Sequence, residues 1–254
     1  MRFIFATLAA AAFAMAMPSQ AETTGYASAD QVQSMIATGR SGPLASLGPW
    51  RANLDVLTSP QAVPLTQTQA ELIYVSGGRG TVVVNGVPLP LEKGAAVYVP
   101  ANASRQVSNV EGSLAIISIR LPAGAVPAEA KTFASAQDFR AMIAGGKNTA
   151  LVSLPAPYRD TLQIRKEPQL ALLHEKDDEY VYIADGNGTF TVGGAMNDPK
   201  PTTPGNFSAN GIAGGMTYKV SPGAVIFVPA NAPHQFSGIS GQLISIDLHL
   251  PHAD

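Results

Sequence analysis

Two stretches of this chain read as copies of each other, so it is expected to fold as two versions of one unit. SADQVQSMIATG at residues 28–39 matches SAQDFRAMIAGG at 135–146, and ELIYVSGGRGTVVVNG at 71–86 matches EYVYIADGNGTFTVGG at 179–194. GAAVYVPANASRQV at 94–107 matches GAVIFVPANAPHQF at 223–236, and LAIISIRLP at 114–122 matches LISIDLHLP at 243–251. The offset is 108 between Glu71 and Glu179 and 129 between Gly94 and Gly223, so the second copy carries 21 extra residues, at about 195–215. That insertion, rich in Pro, Gly, Asn and Thr and without apolar periodicity, is expected to be a long loop. It serves either as a lid or binding loop or as a neutral surface insertion.

Within each copy the pattern changes from helical to extended. Ser28 and Ser135 stand where an N-cap is needed, ahead of Val32, Met35 and Ile36 or Phe139, Met142 and Ile143 at i, i+3, i+4 spacing. The runs 71–75, 81–84, 95–99 and 114–119 then predict short strands, separated by Gly-Gly-Arg-Gly, Asn-Gly and Pro-Ala-Asn-Ala as turns. Gly77-Gly78-Arg79-Gly80 is read as a hairpin turn because neither a following Gly-Lys-Ser/Thr nor a helix makes it a phosphate loop. With 24 Gly, 20 Pro and 13% charged residues, the composition favours many strands joined by turns over a helical bundle.

Cysteine is absent, which excludes disulfides and cysteine nucleophiles, and no Ser-His-Asp arrangement is supported by spacing. Arg2, an apolar run to about Met17, and Pro18-Ser19-Gln20-Ala21 have the layout of a signal peptide cleaved before Glu22. A periplasmic or secreted protein is therefore expected, with no membrane association after cleavage. The formal charge of −2 becomes more negative when Arg2 is lost, and without a Lys/Arg cluster no nucleic-acid partner is expected.

Glu71 and Glu179, each followed seven residues later by Gly78 or Gly186, and Gly223, Pro229 and His234 at the spacing Gly-x5-Pro-x-x-x-x-His resemble the two motifs of the cupin family. Asn231 stands where the family prefers Gly, and Asn accepts the positive φ of such a turn. The resemblance implies an all-β fold of two tandem cupin barrels (double-stranded β-helix, or jelly roll), each preceded by a short helix. It divides the chain into a leader (1–21), an N-terminal cupin domain (22–130) and a C-terminal cupin domain (131–254).

In that family one divalent metal is often held by two His and a Glu of the first motif and a His of the second. Carried over to this chain, the ligands are His174, Glu179 and His234, while Leu172 falls where the remaining His would stand. Two imidazoles and a carboxylate suit Fe, Mn or Zn. The first copy has Thr66, Glu71 and Arg105 at these positions and is expected to hold no metal, with Glu71 and Arg105 either paired structurally or binding an anion. His249, aligned with Arg120, reads as a scaffold or rim residue, His252 and the run Glu175, Asp177, Asp178 as solvated, and Trp50, aligned with Tyr158, as a packing aromatic.

The resemblance implies dioxygenase, isomerase or lyase chemistry on a small oxygenated molecule, with Glu175 or Lys176 as proton-transfer candidates and 195–215 gating the mouth. The alternative is a non-catalytic small-molecule-binding or dimerising protein with no essential metal. A homodimer is a family-level expectation in either case.

Overall fold

A computed structural model describes residues 25–124, 126 and 130–252, so the expected leader lies outside the described residues. The first half runs β1 (Tyr26–Ala27), α1 (Ala29–Ala37), β2 (Gly42–Leu47), β3 (Trp50–Leu57) and β4 (Leu65–Thr66). It continues through β5 (Ala70–Val84), β6 (Val87–Glu92), β7 (Ala96–Val99) and β8 (Ser104–Leu121). The second half begins β9 (Phe133–Ala134), α2 (Ala136–Gly145), β10 (Arg159–Arg165), β11 (Ala171–His174) and β12 (Asp177–Val192). Four short strands follow, β13 (Ala195–Met196), β14 (Lys200–Thr203), β15 (Asn206–Ala209) and β16 (Ile212–Ala213). β17 (Met216–Val220), β18 (Val225–Val228) and β19 (His234–Pro251) complete it.

The strands form an eight-stranded sheet, β2-β3-β8-β5-β7-β9 with β4 on β8 and β6 on β5, and a nine-stranded sheet, β1-β18-β12-β19-β11-β15-β14 with β10 on β19 and β17 on β12. Their pairings are antiparallel, and among the described residues neither sheet closes on itself as a barrel. The two sheets use matching registers: Glu71 lies opposite Val99 and Arg120, and Glu179 lies opposite Val228 and His249.

The leading strands are exchanged. β1 of the first half pairs with β18, and β9 of the second half pairs with β7. Each is followed by its capped helix: Ser28 accepts from the Gln31 amide, and Ser135 forms a capping box with Asp138. The helices then lie across the partner half. α2 sets Phe139 against Gly94, where an added Cβ would come within 2.6 Å of its ring, and α1 sets Val32 and Gln33 beside Gly223. The halves are thus tied by backbone hydrogen bonds as well as by side chains.

Residues 70–75 of β5 and 178–184 of β12 are buried on both faces, and period-two alternation divides their side chains between two cores. Leu72 and Tyr74 meet Tyr180, Tyr182, Ile246 and Leu248 in a core shared by the two sheets, with Tyr74 stacked on Tyr182 at 6.1 Å. Ile73 and Val75 turn into a separate core of the first sheet, and Val181 and Ile183 into one of the second.

Gly77-Gly78-Arg79-Gly80 is not a hairpin turn. It lies inside β5, where the register with β8 shifts at three successive places, so the strand bends without ending. The bend brings Gly78, at φ 81°, so close to β8 that a Cβ would lie 1.9 Å from the Ser113 carbonyl oxygen, and Gly186 stands likewise 2.0 Å from that of Gln242. Gly78→Ala is expected to lose about 3 kcal/mol through the αL penalty and the backbone clash together. Gly86→Ala, at φ 83° with nothing within 4 Å, should lose only about 1 kcal/mol. Equal losses in denaturant unfolding would contradict the close-approach argument.

The inserted segment also differs from its expectation as a structureless loop. It folds as nested hairpins, β13 on β16 and β14 on β15, and β15 adds to the edge of β11. A polar, aperiodic segment gains its order here from pairing with an existing edge strand, a signal that hydrophobic periodicity does not carry.

Candidate metal centre

The second sheet sets Glu179 beside His234, with the rings of His174 and His249 next to them. Glu179 is on β12, His249 lies directly opposite it on β19, His174 ends β11, and His234 begins β19. Glu179 and His234 are buried, with 3.0 Å between Oε2 and Nε2. His249 Nε2 is 4.0 Å from Glu179 Oε1, and the His174 ring lies 5.3 Å from that of His234 and 4.8 Å from that of His249. Donor atoms of His174, Glu179 and His249 all lie within 4.8 Å of one another.

His249 is not the rim residue expected. Its signal was the polar period of the last strand: Ser245, Asp247 and His249 alternate with buried Ile244, Ile246 and Leu248, which places all three on one face. Leu172 lies opposite His234 in register, and β19 carries both His234 and His249.

Backbone and side-chain acceptors orient the rings. His174 Nδ1 meets Asn206 Oδ1 from β15, and His234 Nδ1 is 3.2 Å from the Ala232 carbonyl oxygen. With Asn206 Oδ1 accepting, His174 Nε2 carries a lone pair, as ligating histidines do, whereas His234 Nε2 faces the Glu179 carboxylate and would give up its proton on binding a cation. His249 Nδ1 sits 3.4 Å from Asp177 and 3.0 Å from Arg159 Nη2, while Arg159 itself pairs with Asp177 at 2.9 Å. Arg159 can only donate, so in this arrangement Nδ1 accepts from it, and ligation through His249 Nε2 requires that bond to break and the Nδ1 proton to face Asp177.

The electrostatics follow from burial and proximity. Burial alone would raise the Glu179 carboxyl, but His234, with His249 and His174, holds it far below the usual carboxylate range. His234 is lifted despite its burial because Glu179 faces it, whereas desolvation lowers His174 further than Glu179 raises it. A buried carboxylate facing three imidazoles offers one negative charge and three ring nitrogens, a donor set that fits a divalent cation.

The neighbouring candidates fall elsewhere. Glu175 and Lys176 occupy the exposed turn between β11 and β12 beside Gly205, outside the buried cluster. Asp178 is not a solvated turn residue: it is buried and accepts from Trp50 Nε1 at 3.0 Å and the Ala230 amide at 2.8 Å. His252 is exposed, as expected, and has Nδ1 3.0 Å from the same carboxylate. Asn231 has φ 62°, as the motif requires. Trp50 packs edge-on against Tyr158, with ring centroids 6.2 Å apart.

Below the imidazoles the interior is filled. Arg165 donates to Ser245 Oγ at 2.6 Å, Asp247 Oδ2 at 2.7 Å and Gln169 Oε1 at 2.6 Å, with its guanidinium 4.5 Å above the Phe236 ring. In the first sheet the corresponding ionic feature is the predicted pair. Arg105 Nε lies 2.7 Å from Glu71 Oε2, and its Nη2 lies 3.4 Å from Oε1.

Residues 59–119 match the cupin domain family model. No curated protein matches the sequence. A cupin 2 conserved barrel domain protein from Leptotrichia buccalis superposes with a TM-score of 0.58 at 15% identity, over 84% of this chain and 88% of that one. A salicylate 1,2-dioxygenase from Pseudaminobacter salicylatoxidans superposes with a TM-score of 0.63 at 13% identity, over 92% of this chain and 86% of its own. The structure of that enzyme's adducts with gentisate gives a TM-score of 0.63 at 13% identity, over 92% and 83%. The domain match marks residues 59–119 as cupin-like, and for the rest of the chain these solved proteins show a shared fold.

Proposed function

We propose that the chain is an exported bicupin whose second domain, residues 131–254, binds one divalent metal through His174, Glu179, His234 and His249 and acts on a small oxygenated molecule. The observation that carries this reading is the buried Glu179 carboxylate facing three imidazoles. The matching registers and exchanged leading strands of the two sheets support the duplication, and residues 22–130 form the other domain. Iron, manganese or zinc suits the donor set. The periplasm or the exterior is the proposed location, and the likeness to a dioxygenase whose structure holds gentisate supports an oxygenated small-molecule substrate.

Such a metal, when bound, supplies a Lewis acid that polarises a substrate oxygen. The protein's own groups do the rest. Asn206 and the Ala232 carbonyl orient the His174 and His234 rings, and buried Phe190, its ring centred 6.0 Å from that of His234, gives the site an apolar wall. Because Asn206 belongs to the inserted hairpin, displacement of β14 and β15 is the movement that would uncover His174.

Titration of metal-depleted protein with Mn(II) tests the reading. One site per chain is expected, weakened at least tenfold by His234→Ala and by His249→Ala. If neither Mn(II), Fe(II) nor Zn(II) binds saturably, or if both variants bind as the parent does, the metal reading fails.

A further inference from the structure

A cavity of about 870 Å³ lies not at the imidazole cluster but against the first sheet, with Tyr158, Pro251 and His252 of the second half at its edge. Its size lies within the range of small-molecule sites. Its floor carries Glu71, Arg105 and Ser118, and its sides carry Arg51, Asn53 and Asp55 from one face of β3. One strand position differs in a way that leaves space here. Leu57 faces Leu114 across β3 and β8, in the register where Arg165 faces Leu243 across β10 and β19, so the arginine that fills the second interior is an aliphatic side chain in the first.

Charge then selects what can enter. Three guanidiniums, those of Arg51, Arg105 and Arg120, face the cavity against two carboxylates, Asp55 and Glu71. Arg105 is committed to Glu71, and Arg51 donates to the Gly48 and Trp50 carbonyls. Arg120 lies opposite Glu71 in register, is exposed, and among the described residues has no ion-pair partner within 4.0 Å. One positive charge is therefore left for one anion. Asn53, Gln67 and Gln69 add amides able to meet hydroxyl groups, and Trp50 with Tyr158 adds an aromatic wall for a carbon skeleton.

We propose that this cavity is a second binding site, independent of the metal, for a hydroxylated organic monocarboxylate whose carboxylate is held by Arg120. Arginine presents a planar pair of donors that a carboxylate matches, and the Glu71–Arg105 pair beneath fixes the floor without neutralising that charge. The reading stands whether or not His174, Glu179, His234 and His249 bind a cation.

The test is calorimetric titration of the full chain in EDTA with sodium gluconate, and with sorbitol as its uncharged counterpart. Gluconate is expected to bind at one site per chain and sorbitol at least tenfold more weakly. Arg120→Gln, an exposed substitution whose fold is checked by its melting temperature, should lose at least tenfold in affinity, Arg120→Lys should fall between, and His234→Ala should bind as the parent does. The proposal is overturned by no saturable gluconate binding, by equal binding of sorbitol, by an unaffected Arg120→Gln, or by loss of binding in His234→Ala, which would move the acid to the other centre.

Discussion

Replacing Arg105 with methionine is expected to lower stability by about 3–5 kcal/mol at neutral pH, the cost of leaving one member of a buried ion pair alone. The two side chains are only 7% and 4% exposed, so solvent screens little of the change. Burial already raises the Glu71 carboxyl, and Arg105, its strongest opposing neighbour, only partly offsets that. Without Arg105 the carboxyl should become easier still to protonate. The deficit should therefore shrink in acid, where Glu71 is neutral, and most of it should return in the double variant Glu71→Gln, Arg105→Met. Denaturant unfolding of the four proteins measures the cycle. A loss below about 1 kcal/mol for Arg105→Met would show that Arg120 and Ser118 alone suffice to hold Glu71.

Asp160→Asn is expected to act in the opposite direction. Asp160 sits on β10, 2% exposed, in the core between the sheets; Oδ2 accepts from the Val152 amide at 3.3 Å, and among the described residues Oδ1 has no hydrogen-bond partner. Burial pushes its carboxyl up to about 7, against the pull of nearby backbone amides. A carboxyl raised in the fold is bound in its neutral form, so the fold bears no penalty from it below the unfolded value of 3.8. The penalty grows as pH rises toward 7 and is constant above that, at about 4 kcal/mol. The asparagine variant should match the parent near pH 4 and exceed it by up to that amount at pH 8. Melting curves that stay parallel from pH 4 to 8 would contradict this reading of Asp160.

Much of this was legible in the sequence because it was local. Ser28 and Ser135 cap helices where the spacing of Val32, Met35 and Phe139 places them, and Asn231 accepts its positive φ within one turn. The Glu71–Arg105 pair was also legible, since the second copy supplied a frame for comparing positions. What escaped depends on register between strands distant in sequence. His249 enters the cluster because β12 and β19 pair with Glu179 opposite it, and Gly77 to Gly80 bend a strand because β8 continues alongside. Asp178 and His252 are joined only when the chain end returns beside β12. The exchange of β1 and β9 left no trace in either motif, because a two-residue strand has no period to read.

The direct test of the central claim is the anomalous diffraction of a crystal soaked in Mn(II). One peak is expected, within ligand distance of Glu179 and the inward nitrogens of His174, His234 and His249, and none between Glu71 and Arg105. No peak among those four side chains, at a Mn(II) concentration that marks other sites on the same molecule, would contradict the metal centre.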